Sequence, residues 1–304
     1  MAFARRPRST WQLRTRALSL GERTLIMGVL NVTPDSFSDG GQFLEPDAAV
    51  QHALSMLDQG ADLIDIGGES TRPGSTPLTS QQEQQRVLPV IEALFRKRPG
   101  ALLSIDTYQA ATARAAVSAG CAIVNDVSGF QWDPEMARAC AELHCGVVLM
   151  HTRGRPGEWR TQPRLAQEDV VPLVRSGLAE SLETAIAAGI DRERIVLDPG
   201  FGFGKAFDNN YPLLAHLDEL LSLGQPLLAG VSRKSFLART LSEIGAKGAG
   251  GSGRAAEIPV GDRGHATLAA TTAAILAGAS IVRVHDVRPA VEAASIADAI
   301  LSAL

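Results

Sequence analysis

Ile26-Met-Gly-Val-Leu-Asn31-Val-Thr-Pro-Asp35-Ser-Phe37-Ser-Asp-Gly-Gly41 begins as a buried strand and ends as a polar loop. Residues 25–30 form a short apolar run with no helical period, the pattern of a strand covered on both faces in a parallel sheet. Asn31 closes the run. Thr33-Pro-Asp-Ser36 and then Gly40-Gly41 turn the chain into a loop that carries one aromatic, Phe37. Any parallel strand needs such an ending once, so it is the recurrence that decides the fold.

The same transition occurs about eight times, the number that closes an α/β barrel. Residues 61–66 run into Asp65-Ile-Gly-Gly-Glu69-Ser-Thr71-Arg72-Pro73-Gly, 102–105 into Asp106-Thr107, and 122–124 into Asn125-Asp126. Residues 147–150 end at His151, 195–197 at Asp198-Pro-Gly-Phe-Gly-Phe-Gly-Lys205, and 227–231 at Ser232-Arg233-Lys234-Ser235. The last run, 281–284, contains Arg283 and is followed by His285-Asp286. Each strand thus delivers a polar or charged group at its C-terminal end. Unpaired buried charges are costly, so a shared ligand is the simplest partner for the set.

Helical patterns alternate with these runs, at about 46–59, 80–94, 133–143, 165–188, 211–221, 235–241, 266–277 and 289–301. Ser80-Gln-Gln-Glu83 has capping-box spacing, and Asp133-Pro134-Glu135 reads as a cap, a first-turn proline and a favourable charge. Strict alternation implies parallel strands joined by right-handed crossovers. The expected fold is α/β, a single (β/α)8 barrel of the TIM type; an open doubly wound sheet is the alternative. Residues 1–24 read as a basic tail and a small hairpin over 11–24, turning at Leu20-Gly21-Glu22 and closing the barrel floor. The barrel proper is 25–304, with a flexible Gly-rich insertion at about 245–255.

Composition narrows the function classes. A net charge of −4 gives no reason to expect nucleic acid. No apolar run approaches the ~18 residues of a membrane span. Cys121, Cys140 and Cys145 lack metal-ligand spacing and are too few for a disulfide framework, which points to a reducing, cytoplasmic setting. The run Gly200-x-Gly202-x-Gly204-Lys205 resembles a phosphate loop but lacks its full spacing, and its glycines suit a close turn instead.

Taken together, Asn31 to Gly41, Asp65 to Gly74, Ser104-Ile-Asp106-Thr, Asn125-Asp-Val-Ser-Gly129, Asp198 to Lys205, Ser232-Arg-Lys-Ser235 and Arg283-Val-His285-Asp-Val resemble the dihydropteroate synthase family, in order and over nearly the whole chain. The resemblance implies an enzyme of folate biosynthesis. It would join 6-hydroxymethyl-7,8-dihydropterin diphosphate to 4-aminobenzoate and release diphosphate with the help of Mg²⁺. Two small-molecule substrates, no nucleic acid, no membrane and a homodimer follow from it.

The resemblance also implies roles for single residues. Asp106, Asn125, Asp198 and Lys234 would bind the pterin, Asp198 accepting a pair of donors from its aminopyrimidinone edge. Asn31, Thr71, Arg283 and His285 would bind the diphosphate, Asn31 also giving an oxygen to the metal. Phe37, Pro73 and Ser235 would bind 4-aminobenzoate. Asp35, Thr71, Arg72 and Lys234 would act in catalysis, Asp35 countering positive charge on the pterin methylene. Three other functions remain for the same residues: methyl transfer from a folate to a corrinoid, a non-enzymatic pterin-binding paralogue, and a phosphosugar enzyme on the same barrel. The first has no use for Arg283-Val-His285 or for the Ser232-Arg-Lys-Ser235 anion site, and the second would have lost loop residues such as Asp35 or Thr71-Arg72.

Overall fold

Two short antiparallel strands, β1 (Ser9–Gln12) and β2 (Ala17–Leu20), precede the barrel. Eight parallel strands follow: β3 (Leu25–Asn31), β4 (Leu63–Gly67), β5 (Leu102–Asp106), β6 (Ile123–Asp126), β7 (Gly146–Met150), β8 (Ile195–Asp198), β9 (Leu228–Ala229) and β10 (Ile281–Val284). The computed structural model describes residue 3 and residues 5–33, 45–69, 76–159, 161–248 and 258–304. Asp35, Phe37, Thr71, Arg72 and Pro73 lie outside those residues. The strand order is β8-β7-β6-β5-β4-β3-β10-β9, and a parallel bridge between Leu197 and Leu227 closes it into the expected barrel. Around it run α1 (Glu45–Asp58), α2 (Ser80–Lys97), α3 (Ala110–Ala119), α4 (Met136–Leu143), α5 (Val170–Ala187), α6 (Asn210–Ala215), α7 (Ser235–Gly248), α8 (Gly264–Leu276) and α9 (Val287–Ser302). No described helix is long and apolar enough to cross a membrane.

The two-residue period of the strands sorts their side chains. Ile64, Ile66, Leu103, Ile105, Val147, Leu149 and Val282 face the helices and form the larger core with them. Leu25, Met27, Leu63, Leu102, Ile123, Val148, Val196, Leu228 and Ile281 form a second cluster inside the barrel, capped from below by Trp11, Leu13 and Leu20. The N-terminal hairpin is therefore the floor, as expected. Two residues further along the same inward face come Asp65, Ser104, Asn125, Asp198 and Arg283. A sealed apolar layer thus lies directly beneath a polar one.

Several local expectations are corrected. The hairpin turns at residues 13–16, where the Leu13 amide donates to the Arg16 carbonyl, and not at Gly21. Gly21 serves a chain crossing: with φ of +96°, its missing Cβ would lie 2.4 Å from the Pro7 carbonyl oxygen. The tail before it is tied down, since the buried Arg6 bonds to Thr24, the Ala279 carbonyl and Asp298. The capping box of α2 is one residue earlier than expected, pairing Thr79 with Gln82. Both frames fit the sequence, but Glu83 is drawn inward under Gly68 and so cannot serve the cap.

Asp133 caps its own turn through the Glu135 amide but also reaches the Ala110 amide at 2.8 Å. That borrowed cap is why α3, whose Gln109 makes no side-chain cap bond, has no start signal in its own sequence. The Gly-rich segment is helical at its beginning, because α7 extends to Gly248; its remainder, 249–255, lies outside the described residues. The expected helix at 211–221 divides into α6 and a 3-10 segment, Leu217–Leu223.

Candidate active site

Arg283 is the hub. Its Nε donates to Asp65 Oδ2 at 2.6 Å and its Nη2 to Asp106 Oδ2 at 2.7 Å, while Asn125 Nδ2 donates to the same Asp65 oxygen at 2.9 Å. Three strands, β10, β4 and β5, are joined through one guanidinium, and β6 joins them through Asn125. Burial opposes the Arg283 charge, but the two carboxylates outweigh it and hold the group charged. Burial also pushes the Asp106 carboxyl up, with Arg283 opposing. Asp65 is fully buried, and its Oδ1 has no hydrogen-bond partner among the described residues.

Asp198 Oδ1 accepts the Gly200 amide at 2.7 Å, which leaves Oδ2 beside Gly230. Burial raises the pKa of this carboxyl, against the Gly200 hydrogen bond and the charge of Lys234. Lys234 sits with its ammonium 3.9 Å from the centre of the Phe203 ring. Burial and Arg283 lower its pKa to about 8, while Asp198 and Asp106 oppose the fall. An ammonium held over an aromatic face is suited to donate to a carbonyl.

The anion side is built by the loops after β9 and β10. Ser232 Oγ lies 3.0 Å from His285 Nδ1 and accepts the His285 amide at 3.2 Å. Arg233 has left-handed backbone, φ +57°, a conformation costly for a side-chain-bearing residue. It is held by Asp286, which takes its Nε at 3.1 Å, and by Arg263, which donates to its carbonyl at 3.0 Å. The strained residue thus fixes Ser232 and Lys234 on either side of it. Ser235 is exposed as the first residue of α7. Asn31 is exposed at the end of β3.

Asp106, Asn125, Asp198, Lys234, Arg283 and His285 therefore gather at one barrel mouth, as expected. Two other strand-end groups do not. The His151 ring packs against α5, where a Cβ on Gly177 would lie 2.6 Å from it, and Asp126 accepts the Ser128 and Phe130 amides of its own loop. Asp65 is a site residue that the expected set leaves out. Asp65 was visible as a carboxylate on the inward parity of a buried strand, a position that demands a counter-charge.

At the rim, Glu69 ties the second loop's ends together by accepting the Leu78 amide at 3.0 Å, and Tyr108 donates to it at 2.9 Å. Beneath it the buried Glu83 accepts from Thr107 at 2.9 Å and Gln109 at 3.1 Å. Burial pushes Glu83 up from 4.5 to about 7. A carboxyl raised in the folded state contributes stability that is complete below its unfolded value and lost as pH rises through its folded value. Glu83→Gln is expected to abolish that loss. Denaturant unfolding should show it ~2–3 kcal/mol more stable than the native chain above neutrality and equal to it near pH 4.5. Superimposable pH–stability curves would contradict the assignment.

The pterin binding enzyme family model matches residues 27–285. The chain is 46% identical over 278 residues to the dihydropteroate synthase of Mycobacterium leprae, covering 91% of this chain and 94% of that one. Among solved structures it is similar to the Yersinia pestis dihydropteroate synthase with a sulfonamide drug complex, at 41% identity and a TM-score of 0.85 over 96% of this chain and 99% of that one. It is also similar to the Xanthomonas albilineans dihydropteroate synthase in complex with 7,8-dihydropteroate, at 39% identity and a TM-score of 0.79 over 97% and 98% of the two chains. With this coverage, and with the barrel-mouth residues gathered as described, the chain belongs to the pterin-binding enzymes and, among them, to the dihydropteroate synthase family.

Proposed function

We propose that the chain catalyses the condensation of 6-hydroxymethyl-7,8-dihydropterin diphosphate with 4-aminobenzoate, giving 7,8-dihydropteroate and diphosphate. The observation that carries this reading is the Arg283 hub, bound to Asp65 and Asp106 and through Asp65 to Asn125, on the same strand end whose His285 meets Ser232. The Xanthomonas relative holds the dihydropteroate product by its description, which agrees with this reading.

In the reaction, the lone pair of the neutral aromatic amine attacks the pterin methylene. The carbon–oxygen bond to diphosphate breaks, its electron pair leaves with the diphosphate, and the amine nitrogen gives up a proton. No activated nucleophile is needed. The chain must hold the heterocycle and stabilise the departing anion, which Arg283 does by charge fixed in advance and His285 by hydrogen bonding. Asp35 and Arg72 act from their loops, Asp35 against the positive charge developing on the methylene. Thr71 adds a donor to the diphosphate, and Phe37, Pro73 and Ser235 take the aminobenzoate.

Among the described residues no cluster of three acidic, cysteine or histidine side chains could hold a metal alone. A magnesium ion carried mainly by phosphate oxygens, with Asn31 at the mouth adding one more oxygen, fits that donor set. When bound it would neutralise the leaving diphosphate. We further propose a homodimer packed through α8 and α9, where Ile296 and Ile300 stay exposed, and a cytoplasmic setting, which the free thiols of Cys121, Cys140 and Cys145 suit.

The scheme is ordered. Thr71 and Asn31 contact the anion next to the loops that carry the aminobenzoate residues, so diphosphate completes the second pocket. Calorimetry should find 4-aminobenzoate, or an arylsulfonamide of its shape, bound only once Mg²⁺ and diphosphate are present. Tight binding to the free protein would refute the order.

A further inference from the structure

The Gly200-x-Gly202-x-Gly204-Lys205 run is built the opposite way from a phosphate loop. In a phosphate loop, glycines turn amide N–H groups inward around an anion. Here Gly200, Gly202 and Gly204 all have positive φ, +66°, +89° and +70°, and the carbonyls of Gly200, Phe203 and the neighbouring His151 face a cation that the chain itself supplies. Lys205 Nζ donates to the carbonyls of Gly200 at 2.7 Å, His151 at 3.2 Å and Phe203 at 3.4 Å. An ammonium has three donors, and all three are engaged.

We propose that Lys205 is a positioning residue of the active site, its caged ammonium holding the Asp198–Lys205 loop in the arrangement that turns the Asp198 carboxylate inward and lays the Phe203 ring beneath Lys234. The proposal rests on the pterin-reading roles given above to Asp198 and Lys234. The loop's alternation shows what is at stake. Phe201 is fully buried and stacks on Phe236, whereas Phe203 lies between the Lys234 ammonium at 3.9 Å and the edge-on Trp159 ring at 5.2 Å. Were the loop to slip by one residue, a glycine would take the place of each phenylalanine.

The cage also locks this loop to the strand beside it. The His151 carbonyl that accepts Lys205 stands at the end of β7, and a Cβ on Gly200 would lie 2.0 Å from that same oxygen. The His151 amide in turn donates to the Asp198 carbonyl at 2.9 Å. Lys205 is 6% exposed, and a lysine so buried stays only where its hydrogen bonds are complete. Burial lowers its pKa to about 7, with Asp198 opposing.

The chain has four lysines, at 97, 205, 234 and 247, so nitrogen-15 lysine labelling resolves each ammonium in the native protein. Lys205 should show a slowly exchanging ammonium signal at mildly acidic pH, and exchange as fast as that of exposed Lys97 would overturn the cage. Lys205→Met keeps the buried stem and removes the donors. Below its melting temperature it should lose about 10²-fold in kcat/KM, the cost of a small misplacement, with affinity for the pterin alcohol falling in parallel. Native kcat and KM in a folded Lys205→Met would show the residue to be structural only. If that variant does not fold, Lys205→Ala refolded with ethylammonium replaces it: activity should return with the added cation, and a folded but inactive protein would overturn the proposal. If the native chain itself makes no dihydropteroate, the functional reading fails, while ammonium exchange and pterin binding still decide the role of Lys205.

Discussion

Arg283→Ala is expected to abolish turnover and to cost about 3–5 kcal/mol of stability, the penalty for leaving a buried charge without its partner. Asp65 and Asp106 both depend on this one guanidinium, at 2.6 and 2.7 Å, and Asp65 has no solvent to turn to. Without it, burial would hold the Asp106 carboxyl still further above its ordinary range, since the opposing charge is gone. The deficit is therefore largest at neutral and alkaline pH and shrinks as the pH falls and Asp106 takes up a proton. Urea unfolding at several pH values measures this. Affinity separates the ligand-binding part: pterin diphosphate should lose far more than the pterin alcohol, which lacks the anion. Undiminished stability would contradict the hub, and equal losses for the two ligands with the fold intact would show that Arg283 is structural.

Asp198→Asn is expected to weaken pterin binding about 10- to 100-fold, the ~1–3 kcal/mol of a mismatched buried hydrogen bond, with the fold nearly unchanged. Geometry decides which atom does the damage. The Gly200 amide, 2.7 Å from Oδ1, needs an acceptor, so the asparagine oxygen must stay there and its NH₂ must take the Oδ2 position. A donor then meets the pterin's own donors. Calorimetry with the pterin alcohol checks this, and native affinity would remove Asp198 from pterin recognition.

Strand parity made much of this legible in the sequence. The inward layer that begins with Met27, Leu63 and Ile281 leads two residues on to Asp65 and Arg283, so apolar runs ending in charge already describe a floor and a site. What stayed hidden was of a different kind. The cap on α3 comes from Asp133, which no local pattern around Ala110 can reveal. Glu83 and Gln82 fit a capping box equally well on paper, and only the burial of Glu83 under Gly68 separates them. Gly21 looks like a hairpin turn because a glycine needed for a chain crossing has the same letter as one needed for a turn. Asp35, Phe37 and the 71–73 segment were read by resemblance alone, since their work depends on ligands they share.

Mass spectrometry of the chain incubated with pterin diphosphate, 4-aminobenzoate and Mg²⁺ tests the central claim most directly. The account predicts a product uniting the pterinylmethyl group with the aminobenzoate nitrogen, one diphosphate released for each molecule formed, less of it from Asp198→Asn at subsaturating pterin diphosphate, and none from Arg283→Ala. Pterin diphosphate bound and left intact, with 4-aminobenzoate unconsumed, would contradict it.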